Sequence, residues 1–239
     1  MRRPRCPRGG AAVAAVVVLA VTGCTKDTDG PDAPEKKTVG TALAAVEELP
    51  VKGRAPKTGY EREKFGSPWA DTDSNGCRTR DDILKRDLEQ VKFTDGTCKV
   101  SYGVLASDPY SGKEIVFRRG HSQIDIDHVV ALSDAWQKGA KYWDASKRIA
   151  LANDPLNLLA VDARTNRAKG DGDTATWLPP NKAYRCQYVA RQVAVKKKYE
   201  LWVTAAEKDA MKRVLSTCPD QKLPSGGTPT KAPERFRAQ

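Results

Sequence analysis

The sequence predicts an α+β domain: two strands and a short helix at the centre, mainly helical surroundings, and a helical hairpin at the C-terminal end. Three observations carry this. Cys98, Val100, Tyr102 and Val104 alternate with polar residues, as do Ile124 and Ile126 with Asp125 and Asp127, which is the period of a half-buried strand. A short apolar run, Leu158 to Val161, leads straight into a polar turn with helical spacing. Finally, residues 179–217 hold two helical patterns separated by a tight turn near Val203, which makes the helices antiparallel.

The ends bound the domain. Residues 1–23 carry Arg2, Arg3, Arg5 and Arg8 followed by the apolar run Ala11 to Val21, the pattern of a secretory signal and too short to span a membrane comfortably. The segment closes as Val21-Thr22-Gly23-Cys24, which resembles a bacterial lipobox and implies a lipid anchor on Cys24; the alternative is ordinary cleavage near Gly23 and a free secreted product. Residues 24–45 are rich in Asp, Lys, Pro and Gly and read as a flexible linker, and 219–239 as a disordered tail, leaving 46–218 as one domain. The chain carries a formal +11, about +7 once the four signal arginines are removed, which favours an anionic partner without identifying it. Cys77, Cys98, Cys186 and Cys218 remain in the exported part. An even number in an oxidising compartment points to two disulfides, and the lack of a C-x-x-C pair argues against a structural zinc site.

Thr41 to Val51 can form a short helix at the domain edge. Thr79 with Asp82 reads as an N-cap arrangement opening a helix whose stripe is Ile83, Leu84, Leu88 and Val91. The strand from Cys98 turns through Asp108 to Gly112 and returns over Glu114 to Arg118; a Cys77–Cys98 disulfide would clip the helix to the start of this hairpin. Val129 to Ala152 is a helical connection with Trp136, Ala140 and Trp143 facing a core, and these, like Trp177, read as core rather than base-stacking residues. Towards the C-terminus, Pro179-Pro180-Asn181 opens a helix running to about Leu201, and Thr204 with Glu207 forms a capping box for the next. Cys186 lies 17 residues before the turn and Cys218 15 after it, so at about 1.5 Å per residue both sit at one level and can close the hairpin.

Chemistry concentrates in two stretches. The first is Asp125-Ile126-Asp127-His128-Val129-Val130, where strand geometry sends Asp127 and His128 to opposite sides. His128 is one of two histidines; the other, His121, reads as structural or surface. Alone, an Asp-His pair is more often structural than catalytic. The second stretch holds Asn157 and, nine residues on, Asn166, with Lys169 on the same helical face and Asp171 beyond. Together these spacings resemble the HNH endonucleases of the His-Me finger superfamily, including the HNH domain of CRISPR effector nucleases. The branch containing the GmrSD restriction endonuclease C-terminal domain and many secreted actinobacterial proteins is more similar still. The HNH core covers about residues 121–173, and Trp177 to Asn181 and the helix around Tyr188 to Gln192 also resemble that branch.

The resemblance implies a ββα-metal core and a set of roles. His128 is the general base that takes a proton from the attacking water. Asp127 and Asn166 hold a divalent metal, with Asn166 standing where other members have histidine. Asn157 fixes the finger and helps orient His128, and Asp125 stands behind, holding the finger or a metal-bound water. One carboxylate, one amide oxygen and waters suit Mg²⁺ or Mn²⁺ rather than a soft metal. Arg164, Arg167 and Lys169 on one turn, with Arg118 and Arg119 just ahead of the finger, are candidate phosphate contacts, although each alone reads as a solvated surface charge. The implied activity is hydrolysis of phosphodiesters in DNA, with RNA as an alternative, at low sequence specificity because no separate sequence-reading module is visible. A monomer anchored on the outer membrane face is the expected setting. The competing readings are an inactive surface-anchored module that binds nucleic acid or another polyanion, and a purely structural envelope protein.

Overall fold

The computed structural model describes residues 40–238; the signal segment, Cys24 and most of the expected linker lie outside them. Within this range the protein is a mixed α+β domain with two small antiparallel sheets. Helix α1 (Ala42–Glu47) is capped by the Thr41 hydroxyl and buries Ala42, Ala45 and Val46 against the C-terminal helices, so ordered structure begins ahead of residue 46. A 3₁₀ turn at Arg62–Phe65 precedes α2 (Thr79–Asp87), and the first sheet follows: β1 (Glu89–Phe93), β2 (Val100–Leu105) and β3 (Ile115–Arg118) in that spatial order. β4 (Ile124–His128) pairs antiparallel with β5 (Leu158–Asp162). Between them run α3 (Leu132–Gln137) and α4 (Ala145–Asn153), and α5 (Ala163–Lys169) starts directly after β5. The chain ends in the hairpin of α6 (Arg185–Tyr199) and α7 (Ala205–Leu215).

The β4–β5 pair is buried on both faces, which is why β5 reads as a continuous apolar run rather than an alternating one. Ile124, Ile126, Leu158 and Ala160 pack with α2, β2 and β3, while Leu159 and Val161 pack with α1, α6 and α7. The outer edge of β5 is closed by side chains: the backbone N–H of Ala160 donates to Asp87 at 2.9 Å and that of Asp162 to Asp108 at 2.9 Å. Unpaired strand amides are thereby satisfied without another strand. A third cluster, built on Trp136, Ile149, Leu151, Val195 and Tyr199, fills the space between α3, α4 and α6.

Both disulfides form as expected, Cys77–Cys98 with Cα atoms 5.2 Å apart and Cys186–Cys218 at 6.5 Å. Five expectations need correction. Thr79 is not an N-cap: Arg78 holds that position, and the Thr79 hydroxyl donates to the Ala70 carbonyl instead. Helix α2 stops at Asp87 because Leu88 turns to extended geometry, so Val91 lies in β1 rather than on the helical stripe. Helix α6 begins at Arg185, after a 3₁₀ turn over Lys182–Tyr184, rather than at the prolines. The tail is not free: Ala42 N–H bonds to the Gln221 carbonyl, and Ala232 is buried against the α3–α4 cluster with Leu223 and Phe236 packed beside it. At α7 the Thr204 hydroxyl accepts from Glu207 N–H at 3.2 Å, but the Glu207 carboxylate is fully buried among lysines and does not complete the capping box.

Candidate active site

Because neighbouring residues of β4 face opposite ways, the candidate site has two sides. Helix α5 lies along the side carrying Asp125 and Asp127, held at its start by Asp162, whose carboxylate accepts from Thr165 N–H at 2.7 Å. The i, i+2 spacing on the strand matches i, i+3 on the helix. The Asn166 amide donates to Asp125 at 3.2 Å, and Lys169 Nζ reaches Asp127 Oδ1 at 3.0 Å and the His128 carbonyl at 2.9 Å. Tyr110, buried and not anticipated from the sequence, donates its hydroxyl to Asp127 Oδ2 at 2.5 Å. Asp127 is therefore buried with both oxygens engaged, whereas Asp125 is half-exposed. Burial lifts the Asp127 carboxyl above its ordinary range against the downward pull of Lys169 and Tyr110.

His128 ends β4 on the other side. Its Nε2 lies 2.9 Å from the Ala152 carbonyl. A carbonyl oxygen only accepts, so the proton sits on Nε2 and the Nδ1 lone pair is left for another partner. Burial, and next the positive charge of Arg62, lower the pKa of His128 to about 3, so the ring is neutral throughout the physiological range. Trp69 stacks on it with ring centroids 6.0 Å apart and planes 12° from parallel. Arg62, Phe65, Trp69, Leu132 and Asn153 line the cleft beside the imidazole. The strap that carries Trp69 depends on Gly66: φ there is +82°, and a Cβ would stand 2.7 Å from Ile149 Cγ1 on α4.

Asn157 acts at one remove. Its side chain accepts from Val130 N–H at 2.9 Å and donates to the carbonyls of Val130 and Leu151, tying the exit of β4 to the end of α4 that presents the Ala152 carbonyl. It positions the surroundings of His128 without touching the ring. Among the expected phosphate contacts, Arg164 and Arg167 are exposed on α5 and line an open basin with Lys113. Arg118 is exposed and lies over the Tyr102 ring at 5.1 Å. Two of them do not fit the expectation. Arg119 is committed to the Val100 carbonyl and Asp81, and Lys169 is buried on Asp127, so both are structural ties in this conformation. His121 is exposed, and no cluster of three or more His, Cys, Asp or Glu side chains able to hold a metal occurs among the described residues.

The residues present still supply a donor set suited to a hard cation. Asp125 and Asn166 bring one carboxylate and one amide oxygen to the open side of β4, with Asp127 next to them on the same face. Lys169 is the obstacle, since its ammonium already neutralises Asp127.

Sequence reasoning missed Trp69, Arg62, Tyr110 and the Ala152 carbonyl. None lies in a periodic pattern with the finger residues, and a backbone carbonyl leaves no trace in residue identity.

A buried neutral histidine set back to back with an aspartate–asparagine pair, on a strand–strand–helix unit, defines the class: a disulfide-bonded α+β domain with a mixed imidazole, carboxylate and amide site. Comparison with known families specifies it. Residues 78–214 match the model of the C-terminal domain of GmrSD restriction endonucleases, more than half of the chain, and the chain belongs to that family. It is also 40% identical over 190 residues to an "uncharacterized secreted protein" of Arthroderma benhamiae, covering 79% of this chain and 90% of that one. No solved structure matches. No helix among the described residues is long and apolar enough to cross a membrane.

Proposed function

We propose that the protein is an exported endonuclease that hydrolyses phosphodiester bonds in DNA, with RNA as an alternative substrate, at low sequence specificity. The observation that carries this reading is the orientation of His128: Nε2 is turned to the Ala152 carbonyl, which leaves Nδ1 unengaged, at the end of the strand bearing Asp125 and Asp127. Such an imidazole can take a proton from a water placed against Nδ1, the requirement for a general base at neutral pH. Asp127 and Asn166, with Asp125 as the more open carboxylate, would hold a divalent cation, Mg²⁺ or Mn²⁺. That cation would stabilise the departing oxygen and the charge on the phosphate. The exposed Arg164, Arg167 and Arg118 would contact neighbouring phosphates. Family membership supports a nucleic-acid substrate, and the secreted relative supports export. A lipid anchor on Cys24 and a monomeric state complete the proposal.

One observation favours a second reading, an inactive module that binds nucleic acid or another polyanion: Lys169 and Tyr110 together close Asp127. Plasmid nicking with Mg²⁺ or Mn²⁺ against EDTA separates the two. Metal-dependent conversion of supercoiled to open-circular DNA, lowered in Asn166→Ala, supports the enzyme; salt-sensitive binding without nicking supports the module.

A further inference from the structure

Beyond Arg62, which lines the cleft beside His128, a second cation reaches the Trp69 ring from outside the finger. Arg80 lies on α2, remote in sequence from β4 and α5, yet its guanidinium stands 5.9 Å over the ring of Trp69, which in turn stacks on His128. Asp125 lies within electrostatic reach of it but makes no ion pair with it.

The neighbours of Arg80 do not satisfy it. A guanidinium carries five N–H donors, and an arginine withdrawn from water normally directs them at carboxylates or carbonyls. Arg86 and Arg119 do so, the first to Asp87 and the Pro155 and Leu158 carbonyls, the second to Asp81 and the Val100 carbonyl. Arg80 is half-buried, and its side chain makes no hydrogen bond and no ion pair with any described residue. Arg119 repels it, and Asp125 and Asp81 attract it without bonding to it. An anion placed against Arg80 would relieve both the lost hydration and that repulsion.

The local backbone is arranged to keep this geometry. Trp69 has φ +61°, a left-handed conformation that a bulky residue keeps only where its surroundings impose it. The surroundings here are the Arg78 guanidinium on the Pro68 carbonyl at 3.2 Å and the Thr79 hydroxyl on the Ala70 carbonyl. Both holding residues belong to the start of α2, so the turn that presents Arg80 also sets the Trp69 ring beneath it.

We infer that Arg80 and Trp69 form a phosphate-binding site for the nucleic-acid strand, with Arg80 donating to a non-bridging oxygen and Trp69 fixing that phosphate beside His128. The inference rests on the nucleic-acid reading of the site but not on its being an active nuclease, so it is tested by binding alone. The exported chain in EDTA is titrated with a fluorescent single-stranded oligonucleotide over a range of salt. Wild type, Arg80→Ala, Arg80→Lys and a control removing the exposed Arg213 on α7 are compared, each checked for an unchanged melting transition. Arg80→Ala should bind about tenfold or more weakly at low salt, and its plot of log K against log salt should be less steep by about 0.7, the loss of one phosphate contact on a single strand. Arg80→Lys should keep the slope and lose part of the affinity, and Arg213→Ala should change neither. A purely structural arginine would leave the slope unaltered. An unchanged slope in folded Arg80→Ala, or no oligonucleotide binding by wild type, overturns the inference. A shifted slope in a protein that never nicks DNA leaves it standing and removes the nuclease.

Discussion

Lys169 is the residue on which the alternative readings of the site part. Its ammonium is buried and shared between the Asp127 carboxylate and the His128 carbonyl, so it ties α5 to the end of β4 at the point where base and carboxylate meet. Removing it leaves Asp127 buried with only the Tyr110 hydroxyl for company. Lys169→Ala should therefore destabilise the protein by roughly 3–5 kcal/mol in chemical denaturation, the usual result of breaking one half of a buried ion pair. A loss below about 1 kcal/mol would show that Asp127 does not depend on Lys169 and can be released to another cation. His128, Asn157 and Asn166 were legible in the sequence because their spacing is carried by one continuous strand–connection–strand–helix segment. The phosphate roles assigned to Lys169 and Arg119 were not legible as errors, because a sequence shows a charge but not its partner.

At the scale of elements, alternation located β2 and β4, a turn placed β3 as the return strand, a continuous apolar run located β5, and helical spacing located α1, α2, α6 and α7. β1 escaped because Leu88 and Val91 continue the spacing of Ile83 and Leu84. Only the extended backbone at Leu88 and the left-handed Gln90, with φ +52°, break the helix there. The tail escaped for the opposite reason: Leu223, Ala232 and Phe236 are too sparse to form a pattern, and each is ordered by a groove built elsewhere. The helical hairpin was the firmest inference, since two helix lengths and one turn fix where its open end must close. Cys186–Cys218 spans a sequence separation of 32 residues across that end. Replacing both cysteines by serine should lower stability by about 2–4 kcal/mol while preserving far-UV helicity, because the cross-link acts largely on the unfolded chain. A double variant that melts with wild type in both oxidising and reducing buffer would contradict that assignment.

The whole molecule is held by a buried charge network that no local pattern announces. Lys138 and Lys196 are fully buried and share Asp134 and Glu207, Lys138 also reaches Asp173, and Arg54 closes the rim on Asp134 and Asp173. The network joins α3, α6, α7 and the segment after α5, so it fixes the shell around the β4–β5 unit. Burial raises the Asp134 carboxyl, but Lys196 and then Lys138 outweigh it and hold the group below the ordinary carboxylate range. A carboxyl depressed on folding adds stability above its unfolded value, near 3.8, and that contribution drains away as pH falls towards the folded value. Thermal stability should thus drop below about pH 4, and Asp134→Asn should cost roughly 3–5 kcal/mol at pH 7 with the difference from wild type shrinking in acid. A wild-type to variant difference that stayed constant from pH 7 to pH 3 would show that Asp134 is not held ionised by these lysines.

The central claim is that His128 acts as a base on a phosphodiester, and plasmid nicking by His128→Ala beside wild type, with Mn²⁺ or Mg²⁺, tests it most directly. Wild type should nick in a metal-dependent way, and the variant should be slower by about 10²–10⁴-fold, with DNA binding and the melting transition retained. Nicking by His128→Ala at the wild-type rate would contradict the claim, and so would a folded, DNA-binding wild type that nicks with neither metal.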